Sequence, residues 1–224
     1  MPQDAAEPFG ALDWRRIGGA VLELPAWEVT EQHRSAAAAL STSEGVLAEL
    51  RAVGPTVAAL TLLILLLRWA LTRLVLAPLG ERLVPPSATP GRRRKTLVRF
   101  EAAAWEALWY SCSCGFGLHV YQQERWSVWP TTNFWLGWPL QDFGPPFRLY
   151  YEISLAFYLS ALLSLLLLDA PRSDFVQYLL HHLVTIFLIA VSFYTRIQRY
   201  GLVILLLHDV GARPSSCSRR QASA

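Results

Sequence analysis

Residues 175–195 read FVQYLLHHLVTIFLIAVSFYT, 21 consecutive residues without a charged side chain. As a helix this run rises about 31 Å, enough to cross a hydrocarbon layer of roughly 30 Å, and it is far too long for a buried strand. The fold class follows from it. Yet the run is not purely apolar, for it carries Gln177, His181, His182, Thr185 and Ser192. Polar side chains at mid-membrane are costly, about 2.5–3.5 kcal/mol for charged ones, unless they face a partner or a wet cavity. On a 3.6-residue period Gln177, His181, Thr185 and Ser192 fall within roughly 80° of one another, so this face is expected to look into a bundle. His182 stands about 100° away from His181, and the two imidazoles reach one cavity only if it lies between helices.

Working outward, residues 52–67 are uncharged, and continuation to about residue 77 with Arg68 and Arg73 reaching outward makes a first span. Residues 107–123 and 153–168 are also uncharged and predict two more. The last apolar run, 200–211, meets His208 and Asp209; its twelve residues rise only about 18 Å. The expectation is an all-α polytopic transmembrane helix bundle of about four full spans plus a shortened fifth. Composition agrees: 53% of residues are hydrophobic and 17% charged, with a mean hydropathy of +0.29. A formal charge of +3 is too small to argue for nucleic acid. Cys112, Cys114 and Cys217 have neither metal nor disulfide spacing.

The ends and loops divide the chain further. Residues 1–51 hold eight acids against four bases and read as an acidic, loosely ordered arm, with no cleavable signal peptide at Met1, so insertion is expected to begin at the internal helix 52–78. Between Arg68 and Glu101 eight bases face two acids, which predicts a basic cytosolic loop over 79–100. The loop 124–148 is balanced and carries Trp126, Trp129, Trp135 and Trp138, expected at a membrane interface.

His181, His182, His208 and Asp209 are costly to keep in two successive apolar segments, and such clusters favour function over packing. A metal site is not expected, because the chain has five histidines in all and none in HxxxH spacing. The simplest account is a polar chamber among the helices, to which the segment 153–168 and its start add Tyr151, Ser154 and Tyr158 on one stripe and Ser160 and Ser164 on another.

From about Phe100 to Val210 the chain resembles the TLC-domain ceramide synthases. The resemblance rests on Trp105, Tyr110, Trp135, Gly137, Pro139, Tyr151, Phe157, Tyr158, Ser160, Arg172, Asp174 and Phe175, and on HHLVTIFLIAVSFYTRIQRYGLVILLLHD, which is similar to the Lag1 motif. It implies a partial TLC domain over 101–210, residence as a multi-pass protein of the endoplasmic reticulum membrane, and transfer of a fatty acyl group from acyl-CoA to a sphingoid base. The matching catalytic positions are His181, His182, His208 and Asp209, with Tyr151, Tyr158, Thr185 and Ser192 expected to contact substrate. No cofactor or metal is implied beyond acyl-CoA as substrate. The partners implied are acyl-CoA, sphingoid base, membrane lipid and a homo- or heterodimer with related synthases. The short stretch before Trp105 resembles the animal type without a homeobox-like insert.

Amide formation from a thioester needs a base for the amine proton, donors for the oxyanion and exclusion of water. Histidine serves either as that base or as a transient acyl carrier, and a carboxylate steadies the imidazolium. Neighbours at i and i+1 do not face each other on a helix, so Asp209 is expected to serve His181 or His182 rather than His208. The family pattern places a further Asp where this chain has Ala212, and residues 211–224 read as a polar non-family tail. A shortened form of low activity is therefore expected. The alternative is a non-enzymatic lipid-binding or regulatory membrane protein that pairs with full-length relatives.

Overall fold

The computed structural model describes residues 43–86, 90–124, 126–136, 138, 141, 143–167 and 175–211. The arm before residue 43, the tail after residue 211, and the expectations on Gly137, Pro139, Arg172, Asp174, Ala212 and Cys217 lie outside them. Among the described residues every regular element is helical.

Helix α1 spans Ser43–Leu71 and continues through a wider π turn, Thr72–Leu76, into α2, Ala77–Leu83. At the junction the Ala77 N–H reaches back to the Thr72 carbonyl. Pro78, next in line, has no N–H and would crowd the carbonyl of the preceding turn, so widening the helix here relieves the conflict. The helix starts inside the segment expected to be a loose arm. Residues 44–51 explain this correction, for Glu, Leu, Ala and Arg are good helix formers and Glu44 lies in the first turn, where the helix dipole favours an acid.

The expected loop over 79–100 needs a second correction, because α3, Pro90–Gln123, begins with the basic run itself. Pro85 and Pro86 end the preceding helix, and Pro90 suits a first helical turn. Arg93 crosses back to Glu81 at 2.6 Å, and Leu97 and Phe100 lie on Gly80, where a Cβ would come within 3.0 Å of the Phe100 ring. A tight α2–α3 hairpin results.

Helix α4, Pro145–Leu167, is the hub, packing on α1 and α5 and, less extensively, on α3. Tyr150, Tyr151, Ala156, Phe157, Tyr158, Ser160 and Ser164 are all buried, so it is covered nearly all round. Ala156 and Thr61 mark its close approach to α1. Helix α5, Phe175–Tyr194, packs on α4, and α6, Gln198–Gly211, packs mainly on α3 and also on α5.

By length and composition three helices among the described residues can cross a membrane: Leu50–Leu83, Pro145–Leu167 and Phe175–Tyr194. The expected span 107–123 forms the second half of α3, where Ser111, Ser113, His119, Gln122 and Gln123 dilute its apolar character. The protein is thus an all-α, multi-pass membrane bundle.

The loop after α3 folds over the α5–α6 turn. Trp138 donates from Nε1 to the Thr195 carbonyl at 2.9 Å, and Arg199 donates to the carbonyls of Asn133 and Leu136 while lying over the Trp126 ring. Trp129, Trp135 and Trp138 remain exposed, as interface residues do. At the turn the Ile197 N–H bonds the Ser192 carbonyl and the Arg196 N–H bonds that of Phe193, which is the Schellman ending of α5. Arg196 takes the left-handed position with φ of 60°.

Candidate functional site

Two helices from different parts of the chain carry the histidines, and packing decides how they meet. His181 and His182 lie near the start of α5, while His208 lies near the end of α6. Because α5 and α6 run antiparallel around a short turn, these opposite ends fall at the same level. The His181 and His208 rings are stacked, with centroids 5.3 Å apart and planes 16° from parallel, and His182 is 5.4 Å from His181. Residues 27 apart in sequence become one imidazole cluster.

Tyr158, from the hub helix, sits at the centre of the cluster. Its ring centroid lies 5.9 Å from His208, 6.2 Å from His182 and 6.5 Å from His181. The Tyr158 hydroxyl is 3.0 Å from His208 Nδ1, within hydrogen-bond distance. With Tyr158 2% exposed, this phenol is held by packing, including the Phe157 ring beside it, which Tyr110 in turn meets edge-on. Tyr110 also faces His208 from α3, at 6.2 Å between centroids. Sequence reasoning used Tyr110 only as a mark of resemblance; its placement needs the α3–α6 register, which spacing does not contain.

The cluster has an open side. His181 is exposed, His182 and His208 are half-buried, and buried His182 Nδ1 has no hydrogen-bond partner among the described residues. Thr185, one turn from His181, donates its hydroxyl to the His181 carbonyl at 2.8 Å, so its oxygen is partly spent on its own helix.

Asp209 is placed differently from the expectation that it would serve His181 or His182. Neighbours on a helix diverge by about 100°, and α6 is wedged so that His208 faces α4 and α5 while Asp209 faces α3. Its nearest histidine is its own neighbour, Oδ1 to Nδ1 at 4.0 Å, too long for a hydrogen bond. Buried Oδ2 has no hydrogen-bond partner among the described residues. The carboxylate instead walls a cavity of about 380 Å³ together with Glu106, Tyr110, Ser111, Cys114 and Val210. Glu106 is a further ionisable group at this place, and no periodicity argument singled it out.

Tyr151 and Ser192 are not part of the cluster. The Tyr151 hydroxyl donates to the Gln198 carbonyl at 2.8 Å and accepts from Ser192 at 3.3 Å, and both side chains are buried. They tie α4, α5 and the start of α6 together at the end of the bundle away from the histidines, where Gly201 leaves room for the phenol. Of the eight expected positions, His181, His182, His208 and Tyr158 converge, Thr185 is adjacent, Asp209 faces the cavity beside them, and Tyr151 and Ser192 form a helix clamp.

Residues 99–213 match the TRAM, LAG1 and CLN8 family model, described as a TLC domain. Ceramide synthase hyl-2 of Caenorhabditis elegans is 33% identical over 153 residues, covering 65% of this chain and 46% of that protein. Ceramide synthase LOH2 of Arabidopsis thaliana is 30% identical, covering 63% of this chain and 48% of that protein. Human ceramide synthase 4 is 36% identical over 117 residues, covering 52% of this chain and 29% of that protein. The chain spans about half the length, or less, of the curated relatives named here.

Proposed function

Since the chain belongs to the TLC-domain family, we propose that it is a sphingoid-base N-acyltransferase of the endoplasmic reticulum membrane, joining a fatty acyl group from acyl-CoA to an amine. The observation that carries the reading is the convergence of His181, His182 and His208 on Tyr158 within a membrane bundle. The amine nitrogen attacks the thioester carbon, the carbon–sulfur bond breaks, and the coenzyme leaves as a thiol. One imidazole takes the amine proton and passes a proton to the departing sulfur; the neighbouring rings and the Tyr158 hydroxyl hold it in orientation. Neutral imidazoles suit an apolar setting better than carboxylates, since they act as bases without a buried charge at rest. In this reading the basic end of α3 faces the cytosol, where acyl-CoA arrives.

Microsomes expressing this chain in cells without their own ceramide synthases test the proposal, supplied with sphinganine and stearoyl-CoA. Dihydroceramide should form and should fall on the order of a hundredfold or more with His182→Ala. Acylation that survives this change refutes the site.

A second reading draws on an apolar groove lined by Leu50, Val53, Leu155, Ile189 and Phe193, which would suit a non-enzymatic lipid-binding protein. Lipid binding unchanged by His181→Ala and His208→Ala, with no turnover by the wild-type chain, favours it.

A further inference from the structure

Helix α3 is long enough to connect two chemically different places. Its first turns carry Arg92, Lys95 and Arg99, all exposed, and its middle carries Glu106 and Tyr110, which wall the cavity beside Asp209. At about 100° per residue these five positions fall within roughly 60° of one another, so they form one stripe. Between its basic and cavity ends, Ala102 and Ala103 occupy the same side of the helix. Methyl side chains there leave a low floor.

The rest of the run is disposed differently. Arg93 is paired with Glu81, Leu97 and Phe100 pack on Gly80, and Glu101 lies about 140° from Glu106. No acid therefore interrupts the stripe from Arg92 to Ala103. Arg94 is exposed but stands about 100° from Lys95, off the line. From Tyr110 the helical rise puts Arg99 about 16 Å away, Lys95 about 22 Å and Arg92 about 27 Å.

We propose that the Arg92–Lys95–Arg99 stripe binds the phosphates of acyl-CoA, with the slim pantetheine arm lying over Ala102 and Ala103 and the thioester entering the cavity at Tyr110. The choice of acyl-CoA as occupant rests on the acyltransferase reading; the polarity of the stripe supports it independently. A ligand that fits is strongly anionic at one end and carries no negative charge at the other, because cations line the outer end and the Glu106 and Asp209 carboxyls the inner one. A coenzyme thioester has that order of groups. Three cations in a line also match phosphates spaced along a ligand better than a single anion.

Binding of radiolabelled CoA to the full chain in phosphatidylcholine nanodiscs tests the inference without any turnover. The wild-type chain should bind, and Lys95→Glu and Arg99→Glu should each weaken binding about tenfold, as expected when a charge-assisted contact is lost. Arg94→Glu changes the net charge equally but lies off the stripe, and should leave affinity within about twofold. Equal losses from Arg94→Glu and Lys95→Glu would reduce the effect to a diffuse field and overturn the proposal, as would no CoA binding by the wild-type chain. Unchanged CoA affinity, with Lys95→Glu instead abolishing adhesion to phosphatidylserine vesicles, would assign the stripe to anionic lipid and also overturn it. The two readings fail separately: CoA binding with the stripe dependence but no acyl transfer refutes the acyltransferase alone, whereas transfer with an unchanged KM for acyl-CoA in Lys95→Glu and Arg99→Glu refutes the stripe alone.

Discussion

The Tyr158 hydroxyl lies 3.0 Å from Nδ1 of His208, fifty residues later in the chain. A phenol fixed in the hub helix thereby sets the orientation of an imidazole near the end of α6. If the hydroxyl donates, His208 carries its ring proton on Nε2; if it accepts, the proton is on Nδ1. Either arrangement commits one nitrogen to Tyr158 and leaves the other for the cluster. Removing the hydroxyl frees the ring to rotate.

Tyr158→Phe keeps the ring packing and deletes this bond. A neutral hydrogen bond contributes about 0.5–1.5 kcal/mol, so turnover should fall roughly two- to tenfold while the helical content by circular dichroism stays unchanged. The check is steady-state N-acylation of sphinganine by the purified variant. A rise in KM alone, with kcat unchanged, would instead mean that the phenol contacts substrate.

Gly201 is the contact point between α6 and Tyr151. A Cβ there would collide with the Tyr151 hydroxyl and come within 3.0 Å of Cζ. Gly201→Ala should therefore lower stability by about 1–3 kcal/mol, the usual cost of overpacking. Tyr151→Phe removes the colliding oxygen, so the double variant should be less destabilised than the two single changes summed. Thermal unfolding in detergent of the four proteins measures this coupling; strict additivity would show that the two side chains do not share the space.

Arg196 occupies the left-handed position that ends α5, with φ of 60°. A residue with a Cβ is held there at a cost of about 1–2 kcal/mol, which Gly avoids and Asn reduces. Arg196→Gly should raise the unfolding temperature and Arg196→Val should lower it. The reverse order would place the control of this turn in side-chain contacts of Arg196 and not in its backbone.

The spans at 175–194 and 145–167 were legible in the sequence because long uncharged runs have few structural solutions. Helix boundaries were less so. The start at Ser43 and the helical basic run from Pro90 depend on local helix propensity, which a charge-pattern argument overlooks. The meeting of His181, His182 and His208 was readable in outline, since polar groups in apolar helices must find one another. Their exact partners were not. Periodicity assigned Ser192 to the same stripe as His181, yet Ser192 lies about 16 Å further along α5 and binds Tyr151 instead. Asp209 and Glu106 meet across α3 and α6 only through a helix register that is set by packing of Gly117, Tyr150 and Leu206. No single-helix pattern contains that information.

The claim on which the account turns is that the imidazoles act as one unit, and turnover of His181→Ala, His208→Ala and the double variant measures it directly. Residues that work together in a single step lose their effects non-additively, so the double variant should be about as slow as the slower single variant. A product of two independent losses, or full turnover with either ring removed, would contradict it.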